Sequence, residues 1–186
     1  MGQFDASIVE LKLAAQLDPI SPLTRTWAGL PYFLKRDWEQ GIAWNAGLLE
    51  ANPNLPMVQV NLAICYAEQG AYDKAIAGFE RIRQAEPGVA SDMDLLLTYT
   101  HAKAGTRVAA EEAMKRALTA GENVYAYDAA LAYGMLGDKE QAFAWLEKSY
   151  QQRLSQLTWL KVDPRWQPLR DDPRFAEMLR RIGLAQ

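Results

Sequence analysis

The sequence predicts an all-α chain of stacked antiparallel helix pairs. Three observations predict it. Apolar residues recur at helical spacing, with no strand-length alternation to compete. The same pattern returns when the chain is shifted by 34 residues against itself. Glycine or proline punctuates the places where one helix should give way to the next. On this basis we expect nine to eleven helices and no β-sheet.

The repeat is read column by column. At the 34-residue shift Pro87 falls on Pro53 and Pro53 on Pro19, while Tyr72, Trp38 and Phe4 align as aromatics. Asp73, Glu39 and Asp5 align as acids, Ala75, Gly41 and Ser7 as small residues, and Ile76, Ile42 and Ile8 are identical. A small residue lets two helix axes approach, and the aromatic fills the space beside the crossing. An acid in the first turn complements the exposed N–H groups, and proline ends the helix. These columns describe the second helix of each unit. The first helix shows its own face: Leu62, Ala63 and Tyr66 before Gly70, Leu97, Thr98 and His101 before Gly105, then Ala129, Ala130 and Tyr133 before Gly137. Gly70 is predicted to be a left-handed C-cap, and a small residue follows each glycine five positions on, at Ala75, Ala110 and Ala142. The period slips at the inter-unit turns "EPGVASD" and "TAGENV".

The helix starts agree. Ser21-Pro22, Asp163-Pro164 and Asp172-Pro173 each read as an N-cap followed by proline at the first helical position. Asp138 with Gln141 has capping-box spacing, and Ser91 also precedes an apolar run. Pro31, beside Gly29, removes a backbone donor inside an otherwise helical stretch, which predicts a kink or break near residues 28–31.

A unit of this length and pattern resembles the tetratricopeptide repeat (TPR). The resemblance covers most of the chain as one array: residues 2–19 as the second helix of a truncated repeat, 22–55 and 56–89 as repeats, 91–122 as a degenerate repeat, 123–155 as a repeat, and 156–186 as a C-terminal cap. Two residues depart from the family pattern: Asn45 stands where a large apolar side chain is usual, and His101 where tyrosine is usual. The resemblance implies a right-handed superhelix, or solenoid, of antiparallel helix pairs closed by a capping helix. Phe175, Met178, Leu179 and Ile182 form the expected inward stripe of that last helix. The closing segment is similar to the end of TPR arrays in multidomain bacterial signalling proteins. Because residues 2–19 lack a first helix, Ile8, Leu11 and Leu17 are expected to leave apolar area in need of cover.

Composition narrows the function classes. Net charge is −3, so no basic field exists to hold a nucleic-acid backbone. No run of 18 apolar residues is present and no signal peptide is visible, which favours a cytoplasmic setting. One cysteine and one histidine cannot build a conventional zinc site, and no phosphate loop, nucleophile elbow or EF-hand motif occurs. No cofactor or metal is expected. The acidic pairs Glu111-Glu112 and Asp171-Asp172 read as solvated or first-turn charges, His101 as a helix-packing residue and Cys65 as an inert buried thiol. The chain is therefore expected not to be an enzyme.

In the resembling family the first helices line a concave groove. The positions expected there include Trp27, Leu30, Phe33, Asn61, Ile64, Tyr99, Lys103, Tyr127, Asp128 and Leu131. TPR grooves that grip acidic tails carry a cluster of Lys, Arg and Asn, of which only Asn61 has a counterpart here, so an apolar-anchored protein or peptide is the expected partner. Expected function is a non-enzymatic protein–protein interaction scaffold in a larger bacterial regulatory protein. The alternative is a self-association module that makes homo-oligomers through the N-terminal helix.

Overall fold

In the computed structural model the described residues are 4–18, 21 and 26–184, the side chains of residues 15 and 122 excepted. No described residue is in a strand, residues 26 and 27 are helical, and ten α-helices lie wholly among the described residues. They are α1 (Phe4–Leu17), α2 (Leu30–Lys35), α3 (Trp38–Ala51), α4 (Pro56–Gln69), α5 (Tyr72–Ala85), α6 (Ala90–Lys103), α7 (Arg107–Leu118), α8 (Ala126–Leu136), α9 (Lys139–Gln151) and α10 (Pro173–Arg181). Short 3-10 turns occupy Pro87–Val89, Gly121–Asn123, Ser155–Trp159 and Pro164–Leu169. The chain forms two compact units, Met1–Ile82 and Arg83–Gln186, with the boundary inside α5.

One turn geometry links each pair. The residue after the helix enters the left-handed region, and the next N–H closes a long bond back to a carbonyl one turn inside. Gly70 has φ 91° and is followed by Ala71 N–H to Tyr66 O at 2.9 Å. Gly105 (φ 79°) is followed by Thr106 N–H to His101 O at 2.9 Å, and Gly137 (φ 85°) by Asp138 N–H to Tyr133 O at 3.0 Å. This is the Schellman arrangement, and glycine meets its positive φ without a Cβ clash. A fourth copy uses Arg36 at φ 65°, followed by Asp37 N–H to Tyr32 O at 2.9 Å. The column Tyr32, Tyr66, His101 and Tyr133 is thus the set of residues whose carbonyls end the first helices. Each turn is short enough to reverse the chain, so the paired helices run antiparallel.

In the first unit α1 packs on α2, α2 on α3, and α3 on α4. The predicted break falls at Ala28–Gly29, and Pro31 lies in the first turn of α2 where its missing N–H costs little. Helix contact depends on missing side-chain bulk. A Cβ on Gly41 would lie 3.1 Å from Cys65 Sγ, and one on Gly78 would lie 3.1 Å from Ala63 Cβ. Ala75 is fully buried. Asn45 is buried as well. Its side-chain N–H donates to Gly41 O at 2.8 Å, and its Oδ1 has no partner.

In the second unit α6 packs on α7, α8 on α9, and the first helices α6 and α8 on each other. Ala110 and Ala142 are fully buried at these crossings. The closing segment folds onto α8 and α9. Trp166, Leu169, Phe175 and Met178 join Tyr127, Leu131, Phe143 and Leu146 in one core, with Leu179 and Ile182 packed against it. Asp163 and Asp172 cap as expected, accepting from Arg165 N–H at 2.9 Å and Arg174 N–H at 3.1 Å. Asp138 accepts from Gln141 N–H at 3.0 Å.

Two expectations about caps end differently. Ser91 is not an N-cap: α6 already starts at Ala90, and the Ser91 hydroxyl donates across to Ala117 O at 3.1 Å. The 3-10 turn at Pro87–Val89 runs straight into α6, so no cap is required at Ser91. Pro19 and Pro22, named in the repeat and cap readings, lie outside the described residues.

The small-residue crossing is open to test. Ala75→Trp should lower stability by more than about 2 kcal/mol through overpacking. Urea unfolding followed by circular dichroism measures it, and an unchanged midpoint would show that Ala75 does not sit at a tight crossing.

Candidate functional site

The ten positions read from the sequence as groove residues separate by burial. In the first unit Trp27 is 43% exposed, Leu30, Asn61 and Ile64 are half-buried, and Phe33 is buried with its ring 5.6 Å from that of Trp38. In the second unit Lys103 is half-buried with Nζ 5.6 Å from the Tyr99 ring centre, while Tyr99, Tyr127 and Leu131 belong to the interior. Tyr127 is only 1% exposed, so it offers no surface to a partner in this structure. Leu23, another position of the same register, lies outside the described residues.

What covers Tyr127 is the segment from Asp163 to Trp166, whose sequence signals only a helix start. The Tyr127 hydroxyl donates to Asp163 Oδ2 at 3.0 Å and accepts from the Trp166 indole N–H at 2.8 Å. The two rings meet edge to face at 5.2 Å. Arg165 donates to Asp163 Oδ2 at 2.7 Å and lies 3.8 Å from Asp128 Oδ1. The Arg170 guanidinium donates to the carbonyls of Lys161 and Asp163. A fully buried carboxylate is tolerable only with such a full set of donors. The Asp-Pro start at residue 163 was visible in the sequence, but its partner Tyr127 lies 36 residues away.

Asp128 stays at the edge of this network, its side chain 18% exposed. Burial raises its pKa to about 6; Arg165 opposes the shift, while Asp92 and Asp163 add to it. Burial, with Asp128 and Asp92 nearby, also pushes Tyr125 up to about 12. The Cys65 thiol is buried and raised to about 12, by burial first and by Glu68, so it is a poor nucleophile at neutral pH. His101 sits in the last turn of α6, its Nδ1 2.9 Å from Thr106 Oγ1. No group of acidic, histidine and cysteine side chains able to hold a metal occurs among the described residues, and no described helix is long and apolar enough to cross a membrane.

One surface was only partly legible. On α1 Ile8 and Leu11 are half-buried, while Val9, Leu13 and Leu17 are 63%, 47% and 78% exposed. These three recur at i, i+4 and i+8 and so form one stripe. The same columns in the next two units hold Ala43, Gly47 and Ala51, then Ala77, Arg81 and Ala85, all exposed. A complete unit leaves this face to solvent, and only α1 fills it with large aliphatic groups. Comparison of the columns would have revealed the stripe.

Asp128 makes stability depend on pH. Its pKa in the fold lies above the ordinary carboxylate value, so the folded state holds the proton more tightly than the unfolded chain. Its contribution is therefore present below about pH 4 and is lost as pH rises through about 6. Asp128→Asn should raise the thermal midpoint at pH 7.5, and the difference from the parent should vanish near pH 4. An equal difference at both values would contradict this.

No protein-family model matches the chain, and no curated protein matches it. Among solved structures, one similar chain is a tetratricopeptide repeat protein from Parabacteroides merdae ATCC 43184, with TM-score 0.54 and 14% identity, the match covering 100% of this chain and 75% of that chain. At that identity the likeness concerns the fold, and on it this chain has a TPR-like helical-repeat fold.

Proposed function

We propose that the chain is a non-enzymatic protein–protein interaction scaffold, and that it serves as the interaction or sensory part of a larger bacterial regulatory protein. The observation that carries this reading is the open first-helix surface of the first unit. There a large aromatic, Trp27, stands 43% exposed in a TPR-like fold. Large aromatics contribute most at interface centres, and an apolar patch in water favours a partner that covers it. Leu30, Asn61 and Ile64 are half-buried first-helix positions of the same unit. The fitting partner is a protein segment with apolar or aromatic anchors. The regulatory placement is supported by the resemblance of the closing segment to the ends of TPR arrays in bacterial signalling proteins. A lone free cysteine fits a reducing, cytoplasmic setting.

A second reading is favoured by the α1 stripe. Val9, Leu13 and Leu17 would pack against the same face of another copy, giving a homo-oligomer through the N-terminal helix.

Two measurements separate these readings. For the first, the regulator is crosslinked in its own cells, and captured proteins are compared between the parent and a Trp27→Ala, Ile64→Asp double variant at low and high salt. A partner kept by the parent at both salts and lost by the variant is the expected result, because apolar contacts are little screened. A partner retained by the variant but released by salt would place binding on charged surfaces instead. For the second, sedimentation velocity across a concentration series should show self-association that Leu13→Asp abolishes; a monomer at every concentration rejects it.

A further inference from the structure

One buried column of the array is polar in the first unit alone. Phe79, Met114 and Leu146 stand four positions after the small residues Ala75, Ala110 and Ala142 and are buried; the equivalent side chain of α3, four positions after Gly41, is Asn45, also buried. Its Nδ2 donates to Gly41 O at 2.8 Å, within α3 itself, and its Oδ1 has no partner among the described residues. A buried acceptor left unpaired is costlier than an apolar side chain of similar size, so stability does not account for this residue. The first helix that faces it is also the interrupted one. Turn residues Ala28 and Gly29 separate helical residues 26 and 27 from α2, and the Gly29 N–H reaches back only three residues, to Thr26 O at 3.3 Å. At the corresponding points Ala63, Thr98 and Ala130 lie inside α4, α6 and α8, which run unbroken. In an unbroken helix Pro31 would leave Trp27 O without its donor, but a proline can leave a helix kinked and continuous. The remaining difference lies under the break. A Cβ on Gly29 would stand 3.2 Å from Trp44 Cδ1 and 3.4 and 3.5 Å from the Asn45 amide nitrogen and oxygen, so the amide lies directly against the backbone that leaves the helix.

We propose that Asn45 is a positioning residue: its amide keeps the chain broken at residues 28–29, and the break turns Trp27 out to solvent. Backbone that leaves helical bonding needs polar surroundings, and the phenylalanine, methionine or leucine of the other units would offer it none. An apolar side chain in this column favours a continuous helix packed against it, as in the later pairs. The first unit gives up that packing at one crossing and gains an exposed aromatic two residues before Gly29. The use of the exposed ring rests on Trp27 being a binding anchor. The positioning itself is measured without a partner, so the two can fail separately.

The test labels the chain with 5-fluorotryptophan and assigns the Trp27 and Trp166 resonances by their loss in Trp27→Phe and Trp166→Phe. Solvent exposure of Trp27 is read from its fluorine shift between H2O and D2O in the parent, Asn45→Leu and Asn45→Met, which carry the residues found at Leu146 and Met114. Thermal unfolding followed by circular dichroism accompanies each. The expected result has two parts. The variant unfolds at or above the parent's midpoint, because the unpaired acceptor is gone. Its Trp27 solvent shift falls toward that of Trp166, which is fully buried. The proposal stands if either variant meets both conditions and is overturned if neither does. A Trp27 shift equal to the parent's would make Asn45 a tolerated core residue, and a lowered midpoint would make its amide a stabilising group rather than a positioning one.

Discussion

Everything in this fold depends on close approach between helices, and close approach depends on side chains that are absent. At Gly41 the space for a Cβ is taken by Cys65 Sγ at 3.1 Å, at Gly78 by Ala63 at 3.1 Å, and at Gly134 by Leu169 Cδ1 at 3.0 Å. Ala75, Ala110 and Ala142 are buried without residue at the corresponding points of the later pairs. With axes this near, the aromatic and aliphatic side chains beside each crossing pack against both helices, and dispersion accumulates over many small contacts. The Schellman turns serve the same end. By reversing the chain in two or three residues they deliver the second helix onto the first at a fixed height, which keeps each small residue opposite its partner.

That constraint explains what was legible in the sequence. Glycine at positive φ, aspartate before proline and a small residue five positions after the glycine are local requirements, so they recur as local signals. Gly70, Gly105 and Gly137 and the caps at Asp138, Asp163 and Asp172 could all be placed from residue identity and spacing. Burial of a particular first-helix residue is not local. Whether Tyr127 faces a groove or a core is decided by Asp163 and Trp166, 36 and 39 residues further on. Asn45 shows the same limit from the other side. It occupies an interior column that Phe79 fills one unit later, yet it is equally buried and keeps its amide on Gly41 O. The register identified the column, and the neighbouring backbone decided how a polar group could live there.

The segment 155–181 departs from the plan of the helix pairs before it. Its first half has no α-helix, only 3-10 turns, and these hold a carboxylate deep inside by surrounding it with donors. A longer helix there would present a further apolar face. The tight turns instead bring Trp166 and Leu169 down onto α8 and spend their polar groups on Asp163 and on backbone carbonyls.

The second half keeps the repeat. Arg174 reaches Glu140 and Arg181 reaches Glu147, each pair 34 residues apart, so α10 lies on α9 at the spacing of the unit itself. Each arginine also covers an aromatic of α9, Arg174 over Phe143 at 4.2 Å and Arg181 over Tyr150 at 4.3 Å. The same three-part contact thus occurs twice, seven residues apart along both helices, which is possible only if α9 and α10 run parallel. α10 therefore lies alongside α9 in the same direction, with Glu177 and Arg180 paired to each other on the exposed side of α10. Surface ion pairs of this kind contribute little to stability singly. Their value here is registration: paired guanidinium groups stacked on aromatic rings fix which turn of α10 faces which turn of α9, while Phe175 and Met178 supply the burial.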